Sequence, residues 1–191
     1  MKDIIQEIIN HPSNKHHTQK GHTPIFTAHR ESRIVFIGQA PGVESQKTLT
    51  SWSDASGQVL LRWVGLTQDE FYSSKKIALV PMDFYFPGKG KSGHLPPRKD
   101  FASLWHPKIF SRCPNIKLKI LIGWYAQKYY LADLCKDSLT NTVKAYKEYV
   151  KMGYFPVPHP SPRNNIWLKK NPWFERDVVP ALQKMIKKYL K

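Results

Sequence analysis

"SRIVFIGQAPG", residues 32–42, decides the fold. Ile34, Val35, Phe36 and Ile37 form an unbroken apolar run, too short for a helix. A glycine and a Pro-Gly pair follow at once, at Gly38 and Pro41-Gly42. This is the pattern of a buried strand, Arg33 to Ile37, that ends in a turn. Reading outward, Ile4, Ile5, Ile8 and Ile9 recur at helical spacing, and the polar stretch "HPSNKHHTQKGHTP" leads to the strand. After it, "SGQVLLRWVGL" (56–66) sets Val59, Leu60, Trp63 and Val64 on one helical face. A second strand opens "KKIALVPMDFYFPGKGKSGHLPPR" (75–98) and runs into a long Gly/Pro/Lys loop. "DFASLWHPKIF" (100–110) reads as a helix N-capped by Asp100, "IKLKILIGW" as a third strand, "YAQKYYLADLC" as a helix and "YFPVP" (154–158) as a fourth strand. Asn171-Pro172 can start a last helix toward Leu190, which Pro180 should kink or start later.

Strands alternate with helices along the whole chain. That predicts an α/β fold, a three-layer α/β/α sandwich with a central four-stranded parallel sheet, and one domain over residues 1–191. In open α/β sheets, ligands bind beyond the carboxyl ends of the strands. Three unusual loops follow such ends: "GQAPG", "PMDFYFPGKGKSGHLPPR" and "HPSPRNN". They are expected to share one rim. His159 follows a strand directly, whereas the similar "HPSN" at 11–14 follows a helix and is expected to share no function with it.

Composition narrows the classes further. Hydrophobic residues make up 41% of the 191, which suits a globular chain. No apolar window reaches 18 residues, and Asp3, Gln6 and Glu7 interrupt the N-terminal isoleucines, so neither a membrane span nor a signal peptide is expected. Cys113 and Cys135 are too few for a disulfide framework or a cysteine-held cluster. A cytoplasmic monomer without metal or cofactor is the expectation. Thirty Lys and Arg against fourteen Asp and Glu give a net charge of +16, interleaved with aromatic residues. A folded nucleic-acid surface accounts for that mixture better than a disordered tail does.

"GQAPG" after the first strand, paired with "HPSPRN" after the last, resembles the two motifs of the uracil-DNA glycosylase superfamily. The resemblance runs from about residue 33 to 185. "TSWSDASGQVLLRWVGLTQDEFY" is similar to a family 4 segment and places Trp52 on its aromatic position; "KILIGW" resembles the third strand. The "HPSPRN" spelling is nearest that of the single-strand-selective monofunctional enzymes. The chain also departs from the pattern. It lacks the four cluster cysteines of family 4, Gln39 replaces its Glu, Ala40 occupies the family 1 Asp position, and no Asn matches the pyrimidine reader.

The resemblance implies hydrolysis of the N-glycosidic bond of uracil, or of a related deaminated base, flipped out of damaged DNA. His159 would donate to the base carbonyl as charge develops there, held stiffly between Pro158 and Pro160. Gln39 would orient water, or a carboxylate (Asp83, Asp54 or Glu44) would activate it. Trp52 would stack the base. Gly38, Ala40 and Gly42 would line its site; Gly42 replaces the tyrosine that blocks thymine, which leaves room for a 5-substituent unless Trp52 or Phe84 closes that edge. Asp83 is expected to read the pyrimidine. Ser161, Pro162, Arg163 and Asn164 would pinch the backbone or fill the gap in the stack, and Lys89, Lys91, Arg98 and Lys99 would contact phosphates. The Gln39 and Ala40 departures also fit a catalytically silent DNA-binding module on the same fold.

Overall fold

The computed structural model describes residues 1–91 and 93–191. Six strands occur among them: β1 (Ile34–Ile37), β2 (Ile77–Leu79), β3 (Lys89–Gly90), β4 (Gly93–His94), β5 (Leu118–Ile122) and β6 (Tyr154–Val157). β1, β2, β5 and β6 form one parallel sheet in the order β2-β1-β5-β6. The helices are α1 (Lys2–Asn10), α2 (Lys15–Thr18), α3 (Val43–Thr48), α4 (Ala55–Val64), α5 (Gln68–Ser73), α6 (Phe101–Ser111), α7 (Trp124–Leu131), α8 (Leu139–Lys144), α9 (Tyr146–Val150), α10 (Asn165–Lys170) and α11 (Val179–Leu190).

Strand alternation sorts the core into two layers. Ile34 and Phe36 of β1, with Ile77, Leu79, Leu118, Ile120, Phe155 and Val157, face α4 and α11 through Leu60, Trp63, Val64, Leu182 and Ile186. Val35 and Ile37, with Ala78, Val80 and Leu121, face α1, α6 and α7 through Ile8, Ala102, Trp105, Ile109 and Ala126. Both faces of the sheet are covered, so its strands are largely apolar, with Lys119 of β5 the charged exception. This is the expected three-layer α/β/α architecture. Among the described residues, no helix is long and apolar enough to cross a membrane.

Local departures have local causes. The long loop after β2 contains the antiparallel pair β3–β4, which its glycines and lysines concealed. Asp100 precedes α6, but its carboxyl makes no capping bond. Asp54 is the carboxylate that caps a helix, accepting from Ser56 N–H and Gly57 N–H at 3.0 and 3.1 Å at the start of α4. Proline has no N–H to give, and α11 begins beside Pro180, after a π-helical turn at Phe174–Val178.

Two buried histidines brace the molecule on the α6 side. His106 Nε2–H donates to the Pro81 carbonyl at 2.9 Å, so its Nδ1 accepts from the Tyr130 hydroxyl. His17 stacks on Tyr85 with ring centroids 4.2 Å apart. Burial pulls both imidazoles down to about 4. Between that value and 6.5 the unfolded chain binds protons that the folded chain refuses. Stability is therefore full above the unfolded value and falls as pH drops through this window, by up to about 1.4 kcal/mol per pH unit for each group. His17→Phe preserves the stack and removes one titration. Urea unfolding at pH 7 and pH 5 is expected to show a smaller acid loss in this variant than in wild type; an equal loss contradicts the assignment.

Candidate active site

The three loops beyond the sheet's carboxyl ends, joined by the segment before α4, meet around a cavity of about 600 Å³. One wall is Gly38–Gly42. Trp52 and Asp54 form a second, Lys89, Lys91 and His94 of the β3–β4 hairpin a third, and His159, Ser161 and Arg163 close the ring. Gln39 and His159 also border an adjoining groove lined by Trp124, Tyr125 and Trp167.

Trp52 is held by its surroundings. Its backbone lies in the left-handed region at φ 61°, which costs a non-glycine residue about 1 kcal/mol. The Tyr72 hydroxyl donates to the Ser51 and Trp52 carbonyls, both at 3.0 Å, and fixes that turn. Two glycines make the space. A Cβ at Gly57 would lie 1.7 Å from the Trp52 carbonyl oxygen, and one at Gly38 would lie 2.7 Å from Trp52 Cζ2. The indole therefore rests on the first-motif backbone, with its ring centroid 5.6 Å from that of His159.

His159 is set by its loop. Its carbonyl accepts from Asn164 Nδ2 at 2.6 Å, and Ser161 Oγ accepts from Arg163 N–H at 3.2 Å, closing a short 3₁₀ turn at Pro162–Asn164. Gly123, at φ 80°, brings β5 against the His159 side chain; a Cβ there would stand 3.7 Å from its Cβ. Burial lowers the affinity of His159 for a proton; the Asp54 charge opposes this shift and His94 adds to it. A neutral imidazole that donates one hydrogen bond is the resulting state at neutral pH.

Several expected site residues stand elsewhere. Asp83 does not face the cavity. Its carboxylate is buried and accepts from Tyr85 N–H at 3.1 Å, and from Arg98 N–H, Nε and Nη2 at 3.2, 2.7 and 2.8 Å. A carboxylate carrying four donors has little left with which to read a pyrimidine. Arg98 is committed in the same way: its Nη1 donates to Asn14 Oδ1 at 2.6 Å and to the Ser13 carbonyl at 3.0 Å. The "HPSN" stretch is thus an anchor for this arginine. Phe84 is fully buried in the core, packed on Phe26 and Phe101, and closes no edge of the cavity. Gln39 lines the cavity, but its Nε2 donates to the Leu95 carbonyl at 2.8 Å and ties the first motif to the hairpin. Glu44 is exposed and paired with Lys47. Lys99 and Pro162 are exposed and lie outside the cavity wall. The edge left open by Gly42 is faced by Asp54 Oδ2 and His94 Cε1, each 3.5 Å from where its Cβ would be. His94 escaped the sequence reading. Its only signal was a histidine inside a glycine- and lysine-rich rim loop.

The profile of the Uracil DNA glycosylase superfamily matches residues 24–183. The chain belongs to that superfamily. Its fold is similar to the solution NMR structure of a proposed uracil DNA glycosylase from Methanosarcina acetivorans, with TM-score 0.50 and 16% identity over 83% of this chain and 94% of the other.

Asp83 is a brace, and its removal leaves Arg98 partly buried without its counter-ion. Asp83→Ala is expected to lower unfolding free energy by about 3 kcal/mol, as loss of one partner of a buried pair does. Urea denaturation measures this, and an unchanged midpoint contradicts the bracing role.

Proposed function

We propose that this protein is a monofunctional DNA glycosylase that hydrolyses the N-glycosidic bond of uracil, or of a related deaminated base, flipped out of DNA. The observation that carries the reading is His159, a neutral imidazole on the wall of a cavity with room for an extruded base, which Trp52 also lines and Lys89, Lys91 and Arg163 surround. Superfamily membership supports it.

Breaking the bond leaves negative charge on the base and positive charge on the sugar. A donor already aimed at the base carbonyl favours that separation without reorganising. Desolvation keeps His159 neutral, so it stabilises the departing anion without itself carrying a cation through substrate binding. Extrusion of the base costs a few kcal/mol, and stacking against Trp52 offsets about 1–3 kcal/mol of it. Lys89, Lys91 and Arg163 contact backbone phosphates around the mouth; Arg98, paired with Asp83, does not.

The test of function is incubation with uracil-containing and normal oligonucleotides, followed by alkali. Strand cleavage at the uracil position alone supports the reading. Tight binding without cleavage would support a catalytically silent module. His159→Ala is expected to slow single-turnover base release by about 100- to 1,000-fold with little change in DNA affinity. A loss below tenfold contradicts the donor role.

Salt dependence counts the phosphate contacts. Three cations give a slope of about −2.7 in log Kd-derived affinity against log salt, so affinity should fall about 40-fold between 50 and 200 mM salt. A flat titration on duplex DNA contradicts any phosphate-contacting rim.

A further inference from the structure

The groove beside the catalytic cavity encloses about 540 Å³ past the carboxyl ends of β5 and β6. Gln39 and His159 border both spaces, so a strand leaving the cavity on this side meets the groove next. Two of its aromatic residues do not serve the core. Gly123, at φ 80°, ends β5 and opens α7, which sets Trp124 and Tyr125 at the groove. Neither joins either core layer, and Tyr125 is 45% exposed. Trp167 of α10 completes the wall. Its Nε1–H donates to Thr140 Oγ1 at 2.9 Å, and Trp173 and Phe174 make T-shaped contacts with its ring, centroids 5.8 and 5.7 Å away. The plane of this indole is therefore fixed before any ligand arrives.

Cations accompany these rings. Lys128, one turn beyond Trp124, holds its ammonium 5.1 Å from that ring's centroid, and Lys144 stands 5.3 Å from the centroid of Trp173. Lys169 and Lys170 follow Trp167 in α10 and are exposed. None of these four forms an ion pair with a carboxylate among the described residues. Asp137, beside the groove residue Ser138, is engaged by Asn141 Nδ2 at 2.7 Å. An apolar peptide would have no use for such lysines. A nucleotide brings a flat ring and a phosphate, which match an aromatic face beside a free cation.

We infer that this groove is a stacking subsite for an unpaired nucleobase next to the extruded one, so that the preferred substrate is DNA whose strand is single at the target. This deepens the glycosylase reading and rests on it. A base in an intact duplex is held by its stacked neighbours and its pairing partner, and it reaches the groove only through a second unpairing. A single strand avoids that cost. Lys128, Lys169 and Lys170 supply the counter-charge for its phosphates.

Fluorescence anisotropy with a uracil-containing single strand, and with the same strand in a fully paired duplex, tests the subsite. Trp124→Ala and Tyr125→Ala should each weaken single-strand binding about fivefold or more and duplex binding less than about twofold, as loss of one stacking platform does. Tyr125 is exposed, so its variant decides the matter even where Trp124→Ala unfolds. An abasic spacer in place of the nucleobase on one side of the uracil should weaken wild type by a similar factor and Tyr125→Ala no further, the mark of a shared contact. Equal losses on single strand and duplex, or additive losses with the spacer on either side, overturn the subsite. Uracil release by wild type with single-strand affinity unchanged in both variants overturns the groove alone. A wild type that releases no uracil overturns the glycosylase reading, and the affinity ratios still decide the groove.

Discussion

The buried pair of Asp83 and Arg98 is the constraint on which the rest of the structure depends. Asp83 sits just past β2, where the chain leaves the sheet for a long excursion that ends at Arg98. The pair closes that excursion into a loop, and Arg98 continues the network to Ser13 and Asn14. Asn14 is itself fully buried and donates to the Ile8 carbonyl at 2.7 Å. Guanidinium geometry suits this junction, because one planar group serves the carboxylate and the N-terminal segment at once. The Arg98 plane also covers Phe101, 4.1 Å from the ring centroid. With both loop ends pinned, the β3–β4 hairpin between them is carried over the cavity, and Gln39 ties it to the first motif through Leu95. The cavity wall made by Lys89, Lys91 and His94 follows from an ion pair that never touches it.

A second set of constraints positions the indole. Gly38 and Gly57 lie on different elements, yet both are small for the sake of Trp52, one beneath its ring and one beneath its carbonyl. Tyr72 reaches from α5 to hold the same turn. The left-handed Trp52 backbone is therefore determined by neighbours on three sides, which is how strained residues persist at binding sites.

The layer order, the parallel sheet and the rim loops were legible in the sequence because hydrophobic periodicity and strand–helix alternation are local signals. The four apolar residues at 34–37 split cleanly between the two core layers, as a doubly covered strand must. What escaped was pairing at a distance. Asp83 stood where a base-reading residue was expected, and nothing near it announced a partner fifteen positions on. Arg98 read as a free phosphate ligand for the same reason. Asp54 and Asp100 had the same local appearance before helices, and only the folded turn shows which one caps. The His-Pro-Ser at 11–13 follows a helix and lies away from the cavity, whereas the one at 159–161 follows a strand and borders it. Its anchoring task through Ser13 and Asn14 needed the third dimension.

The central claim is that the cavity bordered by Trp52 and His159 receives a base extruded from DNA. The most direct measurement is a crystal structure of the protein with a duplex whose uracil nucleotide carries a 2′-fluoroarabino sugar that resists hydrolysis. The account predicts the uracil ring inside the cavity, on the Gly38–Gly42 backbone and beside the Trp52 indole, with a His159 ring nitrogen about 3 Å from a base carbonyl oxygen. A uracil that remains stacked in the duplex, or a duplex bound to a face away from Lys89, Lys91 and Arg163, would contradict it.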